Sequence, residues 1–137
     1  ASGAEVMFGN APLNARQSVL LDLLSTSNSK VVLPQKMVRM RDLATLTSKT
    51  GDEFTMLLKG GQALLIRGEG ATLPRLSVAT AERLAARGWT WAGHTHPTLR
   101  IPAPSGGDQA VLAAFAQKGQ QYSRVYNALG RREYFFP

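Results

Sequence analysis

The 137-residue chain has no cysteine and only two histidines. Without cysteine there is no disulfide framework, no thiolate metal site and no cysteine nucleophile; the compartment stays open, since secreted chains can also lack cysteine. Acidic residues are scarce as well, nine against sixteen Lys and Arg, for a formal charge of +7. That balance admits nucleic acid, an acidic protein or an anionic membrane face as partner and does not choose among them. The basic residues are scattered, with Arg39/Arg41 and Arg131/Arg132 as the only small clusters, so a solvated surface is the expected reading. No apolar run approaches the roughly eighteen residues of a membrane span, and the first residues lack the regions of a signal peptide. A soluble chain without a membrane partner is expected. Its length suits one domain that removes about two thirds of its unfolded surface from water.

Residues 1 to 10 are small and polar apart from Val6, Met7 and Phe8, and little order is expected there. Helical spacing of Leu13, Val19, Leu20, Leu23 and Leu24 predicts a helix from Pro12 to Leu24, and Val31 to Leu33 reads as a short edge strand stopped by Pro34. A second helix is expected from Met37 to Lys49, with Gly51 as its stop. Glu53 to Leu58 and Gln62 to Ile66, joined through Lys59-Gly60-Gly61, form a β-hairpin. Leu73 to Val78 reads as a further, shorter strand. Thr80 to Arg87 is a short helix capped by Ser77 or Thr80, and Trp89 to His94 is a strand. After the Pro97 to Pro104 loop comes a helix capped by Ser105, and Gln121 to Ala128 with Arg132 to Phe136 make a closing hairpin around Leu129-Gly130.

Both histidines stand together, as His94-Thr95-His96, at the exit of the expected strand. On a strand, residues i and i+2 project to one side, so two imidazoles at this spacing reach one cation. With no cysteine available, the third ligand is a carboxylate, which makes two histidines, one aspartate and water a natural zinc set. Asp108 is the nearest candidate. The competing readings are a chance pair of loop histidines and, for Ser105, a plain helix cap.

In order along the chain stand Glu53-Phe54-Thr55-Met56-Leu57-Leu58-Lys59-Gly60, then Gly88-Trp89-Thr90-Trp91-Ala92-Gly93-His94-Thr95-His96-Pro97, then Ser105-Gly106-Gly107-Asp108. From Met37 to Pro137 this succession resembles the JAB/MPN family of zinc metalloproteases, which carry the JAMM motif. The resemblance implies an α+β, α/β/α-like fold, a mixed central β-sheet flanked by helices, in a domain of residues 37 to 137. Residues 1 to 36 would be an N-terminal extension with one helix. One departure is plain: seven residues separate Pro97 from Ser105, one more than that family usually has, and Asp108 reaches a metal only if the loop absorbs it.

Carried over by the resemblance, His94, His96 and Asp108 are ligands of Zn2+, with water in an open fourth position. Zinc lowers the pKa of bound water from 15.7 to about 7. Glu53 is then the general base and Ser105 stabilises the oxyanion. Glu53 otherwise reads as an exposed acid at a strand start; neighbouring Asp52 is expected to be the solvated one, and Glu5 and Glu69 are rival bases. The implied reaction is hydrolysis of a peptide or isopeptide bond, in a peptide or ubiquitin-like protein substrate. A JAB-like module that binds nucleic acid or a protein partner without catalysis, like RadC-like bacterial domains, is the alternative. Such domains also serve as effector modules of bacterial toxins, so either a cytoplasmic location or delivery into a target cell is compatible.

Overall fold

Gly60 and Gly61 both adopt positive φ, +55° and +83°, the conformation a two-residue hairpin turn demands and glycine tolerates best. They join β2 (Phe54–Lys59) to β3 (Gln62–Arg67) in antiparallel register, Lys59 opposite Gln62. The computed structural model describes residues 12–100, 102–128 and 133–137. Residues 1–11, Ile101 and residues 129–132, on which the expected Leu129-Gly130 turn and the Arg131/Arg132 cluster fall, lie outside the described residues.

Around that hairpin a single six-stranded mixed sheet is built, in the order β1, β3, β2, β4, β5, β6. The edge strand β1 (Lys30–Pro34) pairs antiparallel with β3, and its terminal proline sits where a missing N–H is tolerated. β4 (Thr90–Thr95) pairs antiparallel with β2 and parallel with β5 (Ser123–Tyr126), which β6 (Glu133–Phe136) borders antiparallel. The parallel step needs a crossover, supplied by the segment containing the helix Gly106–Ala116.

Among the described residues four α-helices accompany the sheet: α1 (Ala15–Leu23), α2 (Met40–Thr50), α3 (Val78–Ala86) and α4 (Gly106–Ala116). Leu20, Leu24, Leu43, Leu46, Phe54 and Leu65 form one core cluster, with α1 and α2; Leu57, Ala81, Trp91, Leu112, Phe115 and Phe136 form the other, with α3 and α4. The protein is therefore α+β, one mixed sheet with helices packed on both faces. Residues 12–34 are built into this same core. Arg16 and Gln17 of α1 bond the buried Asp42 of α2, at 2.9 and 3.1 Å, and β1 completes the sheet.

Two expected elements differ. The helix predicted from Met37 begins at Met40: Gln35–Met37 is a 3-10 turn and Val38 is extended, because the Asp42 carboxylate accepts the Arg39 N–H at 2.9 Å and sets the helix start there. The short strand expected over Leu73 to Val78 is a turn leading into α3. Both edges of β3 are already taken by β1 and β2, and Pro74 has no N–H to offer a ladder. Leu76 N–H instead closes a turn on Leu73 O at 3.0 Å, and Ser77 caps α3 by accepting from Thr80 N–H.

If α1 is part of this core, Leu24→Ala, at a fully buried position, will lower the unfolding free energy by about 2–5 kcal/mol in urea titration. A change below about 0.5 kcal/mol would show that residues 12–24 pack independently of the sheet.

Candidate metal centre

The site begins with an irregularity in β4. Pairing with β2 runs Thr55 with His94 and Met56 with Gly93, then jumps to Leu57 with Trp91, leaving Ala92 as an extra residue. Strict alternation would put Trp91 and His94 on opposite faces; the bulge brings them to the same one. Their rings stack at 4.9 Å and 16°, with Phe136 set edge-on against both. Trp91 Nε1 donates to Thr55 Oγ1 at 2.7 Å, and that hydroxyl donates to Gly93 O at 2.7 Å, so the indole is fixed. His94 is fully buried, and its Nδ1 has no hydrogen-bond partner among the described residues. Ring stacking, rather than a bond at Nδ1, orients this imidazole and aims Nε2 at the cleft.

His96 lies one residue past the strand, where its N–H donates to Tyr126 O at 2.9 Å and extends the pairing with β5. Its Nε2 is 3.1 Å from His94 Nε2. Asp108, in the first turn of α4, places Oδ2 at 3.0 Å from His94 Nε2 and 3.1 Å from His96 Nε2. The longer loop before Ser105 thus still delivers Asp108 to both histidines. The three atoms form a nearly equilateral triangle. Hydrogen bonds cannot satisfy it: with one proton at most on each neutral Nε2, one edge is always donor against donor or acceptor against acceptor. A cation attracts all three corners. His94, His96 and Asp108 would be the side chains to hold such an ion, which would supply Lewis acidity at this end of the cleft.

Glu53 stands just before β2, its Oε2 3.9 Å from His96 Nε2. Glu53, His94 and His96 offer ligand atoms all within 4.8 Å of one another, a group that could hold a metal ion. Backbone contacts fix the glutamate: its N–H donates to Gly70 O at 2.8 Å and its carbonyl accepts from Gly68 N–H at 2.6 Å. Gly68 is required here, since a Cβ would fall 2.1 Å from Thr72 O. Far from being an exposed acid, Glu53 is 4% exposed. Asp52 corrects its expectation too. Rather than solvated, it is buried, accepting from Ser27 Oγ, Arg67 Nε and Gly70 N–H at 2.7–2.8 Å. Of the rival bases, Glu69 is 3.4 Å from Asn28 Nδ2, and Glu5 lies outside the described residues.

Burial pushes the Glu53 carboxyl up to about 7, aided by the charge of Asp108 and opposed by His96. Asp108 is also penalised by burial, but the hydrogen bonds from His94 and His96 outweigh that and hold it well below the usual carboxylate range. Burial lowers His94. For His96 burial acts the same way but is outweighed by the Asp108 hydrogen bond and the charges of Glu53 and Asp108, so its pKa is raised. Ser105 is the cap of α4: its Oγ accepts from Asp108 N–H at 3.0 Å while Asp108 Oδ2 accepts from Ser105 N–H at 2.8 Å. The cap leaves the hydroxyl proton available to donate into the cleft it lines. That cleft, about 640 Å³, also exposes Glu53, His96 and Asp108.

The chain matches no protein-family model, no curated protein and no solved structure. All five residues singled out in the sequence border this one region, His94 as its buried floor. The contributions of Trp91 and Thr55 escape the sequence reading; the one local signal is Gly93 inside the strand, a residue that often marks a bulge or a close backbone approach.

The raised Glu53 pKa has a signed consequence. Between about pH 4.5 and 7 the folded metal-free protein holds a proton the unfolded chain has lost, so this group reduces stability as pH rises. Glu53→Gln should therefore stabilise the metal-free protein at pH 8 by roughly 3 kcal/mol, an advantage that disappears below about pH 4.5 in denaturant titrations. In equilibrium dialysis the wild-type protein should take up one divalent transition-metal ion per chain, and His94→Ala or Asp108→Ala should lose it. Undiminished uptake by both variants would place the ion elsewhere.

Proposed function

We propose that the protein is a zinc-dependent hydrolase of peptide or isopeptide bonds, with a JAB/MPN-type fold and a JAMM-type site. The observation that carries this reading is the convergence of His94, His96 and Asp108 within 3.0–3.1 Å, with a buried Glu53 standing slightly farther off in the same cleft. Two imidazoles and one carboxylate are the donor set of a borderline divalent ion with an open position, which favours zinc. When bound, zinc supplies a Lewis acid and brings the acidity of a coordinated water near neutrality.

The chain's own groups divide the remaining work. Asp108, nearer both imidazoles, is the third ligand; Glu53, buried in the same cleft and 3.9 Å from His96 Nε2, is the general base. It takes the proton of the attacking water as the water oxygen adds to the amide carbon, and returns it to the leaving nitrogen. Ser105 Oγ, already accepting from Asp108 N–H, donates its free proton to the carbonyl oxygen as negative charge develops there. Non-catalytic nucleic-acid binding draws on net charge alone, and among the described residues no Lys or Arg lines the cleft.

The zinc-loaded protein should hydrolyse peptide or isopeptide substrates, and Glu53→Gln should abolish turnover while retaining about one zinc per chain by metal analysis. Ser105→Ala should lower kcat on the order of a hundredfold. Failure of the purified chain to hold zinc after it is supplied would sink the reading.

A further inference from the structure

The cleft continues past its polar end into an apolar half. Leu73 and Leu76 come from the segment between β3 and α3, Val78 from the first turn of α3, Trp91 from β4 and Val111 from α4. Among the described residues, the charged side chains lining the cleft are the Glu53 and Asp108 carboxylates, together with the titratable His96. An anionic group entering here meets two carboxylates, whereas an apolar side chain meets five apolar walls.

This wall is tied to the reacting end. Gly68 N–H donates to Glu53 O at 2.6 Å and Glu53 N–H to Gly70 O at 2.8 Å, while Glu69 and Thr72 exchange backbone bonds of 3.0 and 3.1 Å. Directly after Thr72, Leu73 and Leu76 close their own turn, and Leu76, 3% exposed, is locked into the core with Leu57 and Ile66. One short segment therefore fixes both the backbone of Glu53 and the apolar wall, and holds the two at a set separation. A volume of about 640 Å³ is far more than a glycine fills and accommodates a leucine or phenylalanine side chain with its flanking backbone.

We infer that the pocket bounded by Leu73, Leu76, Val78, Trp91 and Val111 selects peptide substrates bearing a large, uncharged apolar side chain next to the scissile amide. Glycine and acidic residues are disfavoured at that position. The scissile amide rests on the hydrolase reading; the preference for an apolar group does not.

Two series of linear peptides test this with the zinc-loaded protein, carrying Gly, Leu, Phe or Asp on the acyl side or on the amine side of the cleaved bond. In one series kcat/KM for Leu or Phe should exceed that for Gly at least about tenfold, with Asp lowest. Val78→Asp should cut the Leu-to-Gly ratio about tenfold. That position is 41% exposed and opens a helix, where a negative charge is favourable, so folding should survive. Binding is read separately, in the metal-free protein, by methyl NMR during titration with N-acetyl-leucinamide or N-acetyl-glycinamide. Only the leucine amide should shift the methyls of Leu73, Leu76, Val78 and Val111. Leucine-selective shifts without cleavage of any peptide would remove the hydrolase reading and leave the pocket standing. Cleavage without an apolar preference, or equal shifts from both amides, would overturn the pocket assignment.

Discussion

Oδ2 of Asp108 joins the start of α4 to the end of β4. It accepts the Ser105 N–H that caps the helix and lies 3.0–3.1 Å from both imidazoles. Capping and site assembly thus share an atom, so α4 cannot begin elsewhere without dismantling the triangle. The two readings of Ser105, helix cap and cleft hydroxyl, are both satisfied, because accepting from Asp108 N–H uses a lone pair and not the proton. What differs from an ordinary capped helix is that the capping carboxylate is held ionised by two imidazoles.

Three acidic groups buried near each other in sequence show how environment divides their roles. Asp42 is bonded by Arg16, Gln17 and the Arg39 N–H, and Asp52 by Arg67, Ser27 and the Gly70 N–H. Both carboxyls are pulled below their ordinary pKa despite burial, as befits groups that fasten α1 to α2 and β3 to the chain before β2. Glu53, one residue after Asp52, is buried with a neighbouring carboxylate, and its pKa rises. Alternation along the chain sends these neighbours opposite ways, one to a guanidinium and one to the cleft. Burying an acid without a cation costs stability, and such groups concentrate at functional sites.

Most of the strands and helices were legible because their signals are local. The paired glycines after Lys59, the i, i+2 histidines, and the cap pattern Ser105 to Asp108 each act within a few residues, and each forms as expected. The errors fell where distant groups intervene. Asp42 moved the start of α2, and occupied edges on β3 left the Leu73 to Val78 segment with no strand to join. That displaced segment became the turn that walls the cleft. Residues 12–34 lie outside the family resemblance, yet they complete one sheet edge and part of a core, because long-range pairing is invisible to motif spacing.

The sequence by itself determined the residue types available for chemistry: no thiol, two imidazoles at i, i+2 spacing, and a few carboxylates, which leaves nitrogen and oxygen as the atoms that could hold a metal ion. It also determined that Asp108 would open a helix. Only the tertiary structure decided that the Pro97 to Pro104 loop leaves Asp108 within reach, that Glu53 faces the cleft while its buried neighbour Asp52 turns to Arg67, and that a bulge at Ala92 puts Trp91 behind His94. Those outcomes depend on which strands lie side by side and on what fills the space between sheet and helix. Distances across that space are fixed by packing, and no local preference encodes them.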